Sequence, residues 1–178
     1  MNNIILIGMP GCGKSTIGVV LAKNLGFRFI DSDLLIQERE HRLLHEIITQ
    51  DGLEAFNQIE NQVNASIETT SSIIATGGSV IYGQEAMRHL KEIGTIIYLR
   101  LPENLLEERL GDLNQRGVSI KAGQTLHSLY KERIPLYEKY ADITIDCAGK
   151  EIRDCVYEIT NTIQNGDHKP RWIHNPLK

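Results

Sequence analysis

Apolar positions fall along this chain in two alternating patterns. Short, mostly apolar runs occur at 4–7, 27–30, 73–75, 95–101 and 143–145, rich in isoleucine and aromatic residues. Runs of this length read as strands buried on both faces. Between them apolar residues recur every three or four positions, the spacing that lines one face of a helix. Ile17, Val20, Leu21 and Leu25 do so after the first run, and Phe56, Ile59, Val63 and Ile67 do so within 53–69. Helices are predicted there and over 34–40, 43–50, 84–93, 102–110, 125–140 and 150–163, with Gly52 placed to end the second of these and Pro102 in a first turn. Strand–helix alternation of this kind predicts an α/β fold, a parallel sheet with helices on both faces.

Two segments carry no period. Residues 111–123 are polar, with three glycines and Arg116, and read as a lid or a plain surface loop. Residues 165–178 hold two prolines and the single Trp172 and read as a tail beyond one domain at 1–164. The tail is expected to fray, with docking of Trp172 on the body as the alternative.

Candidate chemistry begins directly after the first strand. Residues 8–16 read Gly-Met-Pro-Gly-Cys-Gly-Lys-Ser-Thr, which fits the phosphate-loop pattern G-x-x-x-x-G-K-[ST] between a strand and a helix. Glycines there let backbone N–H groups turn inward on phosphate oxygens, and the following helix adds the positive end of its dipole. Gly11, Cys12, Gly13, Lys14, Ser15 and Thr16 are therefore the candidate ATP or GTP site. Lys14 is placed for the β- and γ-phosphates and the Ser15 hydroxyl for Mg²⁺. Cys12 near a helix N-terminus is either a thiol of lowered pKa, prone to oxidation, or a small filler.

After the second run stands Asp31-Ser32-Asp33, and ligands of parallel α/β sheets gather at the carboxyl ends of strands. Asp31 is the candidate metal carboxylate and Asp33 the group that takes or aligns a proton of an acceptor hydroxyl. The competing reading has Asp31 or Ser32 capping the next helix. Gly77 and Gly78 follow the third run and permit close approach of a ligand, or else make a tight turn. No aspartate ends that third run, which strengthens the metal reading of Asp31. Among the arginines, Arg109, Arg116 and Arg133 are candidates for a transferring phosphoryl group, but spacing alone singles out none of them.

Composition narrows the partners. The chain has 178 residues and a formal net charge of −4. One domain is expected, and a general nucleic-acid binder is disfavoured. No apolar run reaches the roughly 18 residues of a membrane helix. The chain enters a strand almost at once, so no signal peptide is expected. Cys12, Cys147 and Cys155 show no C-x-x-C or metal spacing, and so sparse a set suits a reducing cytoplasm.

Together these residues resemble the shikimate kinase family over roughly residues 2–160. The likeness rests on residues 8–16, Asp31-Ser32-Asp33, Asp51-Gly52 through Glu60, and Gly77-Gly78. It extends to Arg109 and Arg116 seven apart, and to Arg133-Ile134-Pro135-Leu136-Tyr137 with Ala141-Asp142 after it. The resemblance implies a three-layer phosphate-loop kinase fold with a five-stranded parallel sheet of order 2-3-1-4-5, substrate helices at about 33–69 and a lid at about 111–123. It implies transfer of the γ-phosphate of Mg·ATP to the 3-hydroxyl of shikimate; a monomer in the cytoplasm is expected. By position, Lys14 and Arg116 would hold phosphates, Ser15 and Asp31 would serve Mg²⁺, and Arg109 would pack on adenine. Asp33 would meet the acceptor hydroxyls, Gly77 and Gly78 would line the acceptor pocket, and Arg133 would grip the substrate carboxylate.

The chain departs from the family pattern where the family has G-E-x-x-F-R-x-x-E. Here residues 52–60 read Gly-Leu-Glu-Ala-Phe-Asn-Gln-Ile-Glu, so Asn57 stands where the family has an arginine. Asn can donate a hydrogen bond but lacks the charge and fork of guanidinium. Ser79 replaces the third glycine of the family's Gly-Gly-Gly, and Gly117 replaces the proline after Arg116. Three readings follow: a shikimate kinase with an altered carboxylate site, a kinase of another polyol or hydroxy acid of the gluconate type, and a nucleotide-binding regulatory module without turnover.

Overall fold

A computed structural model describes residues 3–110, 120, 121 and 123–165. The chain runs β1 (Asn3–Ile7), α1 (Lys14–Leu25), β2 (Arg28–Asp31), α2 (Ser32–Glu40), α3 (Leu44–Asp51), α4 (Leu53–Ala65) and β3 (Ser72–Ala75). After a 3-10 turn at Val80–Tyr82 come α5 (Gln84–Ile93), β4 (Gly94–Arg100), α6 (Glu103–Leu110), α7 (Leu126–Tyr140), β5 (Ile143–Asp146) and α8 (Ile152–Asn165). All five expected strands are present and form one parallel sheet in the order β2-β3-β1-β4-β5. β1 is central: Ile5 lies opposite Ile74 on one side and Ile96 on the other. Every residue of β1 and β3 is buried, so both faces of the sheet are covered.

Most helix ends lie within two residues of their expected positions. One end falls outside that range and one shifts by a single residue, each for a physical reason. The helix expected over 53–69 stops at Ala65, where both the Ser66 amide and its hydroxyl donate to the Val63 carbonyl. Ile67 keeps helical spacing in sequence but leaves the helix for the main core. Pro102 precedes α6 rather than lying in it, and its carbonyl accepts from the amides of Leu105 and Leu106.

The core divides in two. The large cluster surrounds the sheet, and a small second cluster joins Ile36 of α2, Ile47 of α3, and Phe56 and Val63 of α4. This small core makes α2–α4 a packed unit that stands over the carboxyl end of the sheet beside the phosphate loop. Among the described residues no helix is long and apolar enough to cross a membrane. Arg116, most of the expected lid and the tail with Trp172 lie outside the described residues.

Candidate active site

The phosphate loop joins β1 to α1. Gly13 caps α1 with φ 102°, a left-handed conformation that favours glycine, and no side chain caps the helix. The first amides of α1 are thus left to an anion. Lys14 is 8% exposed, and its Nζ donates to the carbonyls of Gly8 at 2.8 Å and Met9 at 3.0 Å. The Ser15 hydroxyl donates to Asp31 Oδ2 at 2.7 Å. Asp31 Oδ1 accepts from the Asp33 amide at 3.0 Å, so one carboxylate both caps α2 and reaches the loop.

Between the loop and the α2–α4 unit lies a cavity of about 390 Å³. Its far wall includes Asp33, Phe56, Glu60, Gly77, Gly78 and Arg133. Gly77 has no room for a side chain: a Cβ there would lie 2.2 Å from Glu60 Oε1 and 2.9 Å from Asp33 Oδ1. The two carboxyls therefore face each other across this glycine. Burial, then the neighbouring Asp31 charge, pushes Asp33 up to about 6, with Lys14 pulling against them. Burial pushes Glu60 up to about 7, while a Ser79 hydrogen bond and the cations of Arg133 and Lys14 oppose it and Asp33 adds to it. Glu60 is 2% exposed, and its Oε1 has no hydrogen-bond partner among the described residues. This oxygen is enclosed against Gly77, while the residue as a whole lines the cavity.

Arg133, 1% exposed on α7, is held from behind. Its Nε donates to Tyr82 Oη at 3.2 Å, and its guanidinium lies 5.3 Å from the Tyr82 ring centre. Tyr82 Oη in turn donates to Glu132 Oε1 at 2.5 Å, which draws Glu132 below the usual carboxylate range. Glu132 Oε2 also accepts from Gln124 Nε2 at 2.9 Å. The neighbouring turn is tied down by Tyr137, whose Oη donates to the Gly78 carbonyl at 2.6 Å.

A second cavity, about 260 Å³, lies beside the loop and is lined in part by Cys12, Thr16, Arg109, Cys147 and Lys150. The structure thus gathers Gly11, Gly13, Lys14, Ser15, Thr16, Asp33, Gly77, Gly78 and Arg133 on the first cavity, and Cys12 and Arg109 on the second. Asn57 is half-buried on α4, and the first cavity is lined by its neighbours Phe56 and Glu60 rather than by it. Among the lining and supporting residues, Glu60, Ser79 and Tyr82 received no role from the sequence. Glu60 did leave a signal, a charge four residues after Phe56 and three before Val63 on the buried stripe of α4. Ser79 and Tyr82 come from a short turn with no period to read.

A sequence model of the shikimate kinase family matches residues 10–164. The chain belongs to the shikimate kinase family. A shikimate kinase of Thermodesulfovibrio yellowstonii is 36% identical over 93% of this chain and 99% of that protein. One of Clostridium botulinum is 36% identical over 92% of this chain and 98% of that protein. Among solved structures, a shikimate kinase from Acinetobacter baumannii in complex with shikimate superposes with TM-score 0.81 at 32% identity, covering 92% of this chain and 93% of that one. Family membership makes this chain an ATP-dependent phosphotransferase with an alcohol acceptor.

Proposed function

We propose that this chain transfers the γ-phosphoryl group of Mg·ATP to the 3-hydroxyl of shikimate. The observation that carries this reading is the placement of Asp33. Its carboxyl lines the first cavity between the phosphate loop and Arg133, and its raised pKa of about 6 suits a group that takes a proton near neutrality. The A. baumannii relative, which holds shikimate, adds support at the level of the substrate.

The residues divide the work. The free amides at the start of α1 and the Lys14 ammonium bind the phosphates, and Arg116, outside the described residues, is proposed for the same charge by its place in the sequence. Asp33 accepts a hydrogen bond from the acceptor hydroxyl and takes its proton as the new P–O bond forms. Arg133, stiffened by Tyr82, pairs with the acceptor carboxylate. Glu60 shares the cavity wall with Asp33, whose charge raises the proton affinity of Glu60. Arg109 packs on the nucleotide base at the second cavity. The Ser15 hydroxyl and Asp31 carboxylate, 2.7 Å apart, are hard oxygen donors of the kind that hold Mg²⁺. Bound there, Mg²⁺ would neutralise charge on the β- and γ-phosphates. The three unpaired cysteines fit work in a reducing cytoplasm, and we take the chain to act as a monomer.

A second reading, a kinase of a different hydroxy acid or polyol, is favoured by Asn57. Loss of one charged hydrogen bond, roughly 1.5–3 kcal/mol, would weaken a carboxylate acceptor by about ten- to a hundredfold.

The test is ADP release from Mg·ATP with and without shikimate. Saturable, shikimate-dependent turnover is expected, and Asp33→Asn should abolish it while nucleotide affinity stays near that of the parent. ATP binding without shikimate turnover would overturn the substrate assignment. If Asn57 is what limits shikimate use, Asn57→Arg should raise kcat/KM by about tenfold or more.

A further inference from the structure

Glu132 and Arg133 are consecutive on α7, and one phenol from another element touches both. Tyr82 ends the short 3-10 turn that follows Gly77, Gly78 and Ser79. Its Oη accepts from Arg133 Nε at 3.2 Å and donates to Glu132 Oε1 at 2.5 Å. The Arg133 guanidinium lies 5.3 Å from the centre of the same ring. The second oxygen of Glu132 is also engaged. Gln124 Nε2 donates to Oε2 at 2.9 Å, and Lys121 Nζ lies 3.6 Å from it. Gln124 is itself fixed: its Oε1 accepts from the Lys121 amide at 3.1 Å, and its own amide donates to the Lys121 carbonyl at 3.0 Å.

These bonds have a direction. A phenol has one proton to give, and a guanidinium can only donate. Burial, and then the bond to Glu132, pushes the Tyr82 phenol up, while the same bond draws Glu132 down. The proton therefore stays on Tyr82 and points at Glu132, which turns an oxygen lone pair on Arg133 Nε. Without a carboxylate beside it the phenol could swing its proton toward the guanidinium, so Glu132 is what makes Tyr82 a steady acceptor. Held at Nε and stacked on the ring, the guanidinium has its plane set, and with it the direction of both Nη groups. A carboxylate pairs with a guanidinium as fork to fork only when the two planes match.

We propose that Tyr82 and Glu132 are positioning residues that make Arg133 selective for an acceptor that carries a carboxylate. This deepens the reading of Arg133 as the carboxylate-binding group and rests on it. Arg133 lines the first cavity, whereas Tyr82 and Glu132 stand behind it, so both act on the acceptor through Arg133.

The test is steady-state kinetics of the full chain with shikimate and with its methyl ester, which keeps the hydroxyls and loses the carboxylate charge. The parent should prefer the acid. Tyr82→Phe keeps the ring under the guanidinium and removes the hydroxyl. The ratio of kcat/KM for acid over ester should then fall about fivefold or more, through KM for shikimate, with kcat and KM for ATP within about twofold of the parent. Glu132→Ala should lower the same ratio, and Glu132→Gln, which keeps an oxygen for the Tyr82 proton, should restore most of it. Because both residues act through one phenol, Tyr82→Phe with Glu132→Ala should fall no further than Tyr82→Phe alone. Equal losses with acid and ester, or a matching rise in KM for ATP, would reduce the contact to a structural one and overturn the proposal. An unchanged ratio in either single variant would overturn it too; the two lie on different elements, so loss of folding in one leaves the other to decide. A parent without shikimate-dependent turnover would overturn the substrate reading and this proposal with it. A parent that turns over shikimate with no preference for the acid would overturn only the carboxylate role of Arg133 and its positioning.

Discussion

Glu60 carries its carboxyl on α4 where neighbours one turn away, Phe56 and Val63, are core residues. Its ordinary pKa of 4.5 is raised to about 7 by burial. Folding therefore takes up a proton between those values. The stabilising contribution of the protonated form is fully present below about 4.5 and is lost as the pH rises through about 7. Glu60→Gln keeps the shape and removes the titration. In urea unfolding it should gain stability over the parent at pH 8 relative to pH 5, by on the order of 3 kcal/mol. A parallel pH dependence in the two proteins would show that Glu60 is not the group. Asp33 lies across Gly77 from Glu60, so the two carboxyls titrate together. Since ionised Asp33 is the working form in the proposed mechanism, kcat/KM should decline as the pH falls below about 6. A decline only near an unperturbed aspartate's value would remove Asp33 as the proton acceptor.

The start of α2 combines two tasks on Asp31, and substitutions can separate them. Asp31→Asn keeps an oxygen for the Asp33 amide but removes the charge beside Ser15. Its stability should stay within about 0.5 kcal/mol of the parent, while the Mg²⁺ needed for half-maximal rate rises roughly tenfold. Asp31→Ala should lose about 1 kcal/mol in addition, through the cap. Thermal unfolding and a Mg²⁺ titration of turnover check both. At this scale the sequence was most readable. The phosphate loop is a local pattern of glycine, lysine and hydroxyl whose geometry is set within nine residues. The period of apolar positions marked each strand and helix because burial enforces that period. It overran α4 because Ile67 satisfies helical spacing while serving a different core. The acceptor wall was less readable, since Ser79 on it and Tyr82 behind Arg133 come from the turn after β3 and leave no period. Arg133 stood out only by resemblance: nothing in 131–137 says that its guanidinium is buried on Tyr82.

At the scale of the whole molecule, sheet order makes the nucleotide site a product of distant segments. β1, which launches the phosphate loop, is paired on one side with β3 and on the other with β4. A chain ended after Ile93 has the whole loop but lacks β4, so one edge of β1 would be open. Such a fragment should fail to bind Mg·ATP in a titration where the full chain saturates. Binding at similar affinity would show that β1 and its loop need only one neighbour.

The central position of β1 also fixes when, in the life of each molecule, ATP can first be held. β1 leaves the ribosome first, yet Ile5 waits for Ile74 and then Ile96. At about 5–20 residues per second, synthesis takes several seconds to deliver both partners. Throughout that interval the fully buried strand β1 lacks at least one of its two neighbours, and the loop attached to it has an incomplete frame. Nucleotide therefore cannot guide the early steps of folding; it can only consolidate a sheet that more than half of the chain has already built.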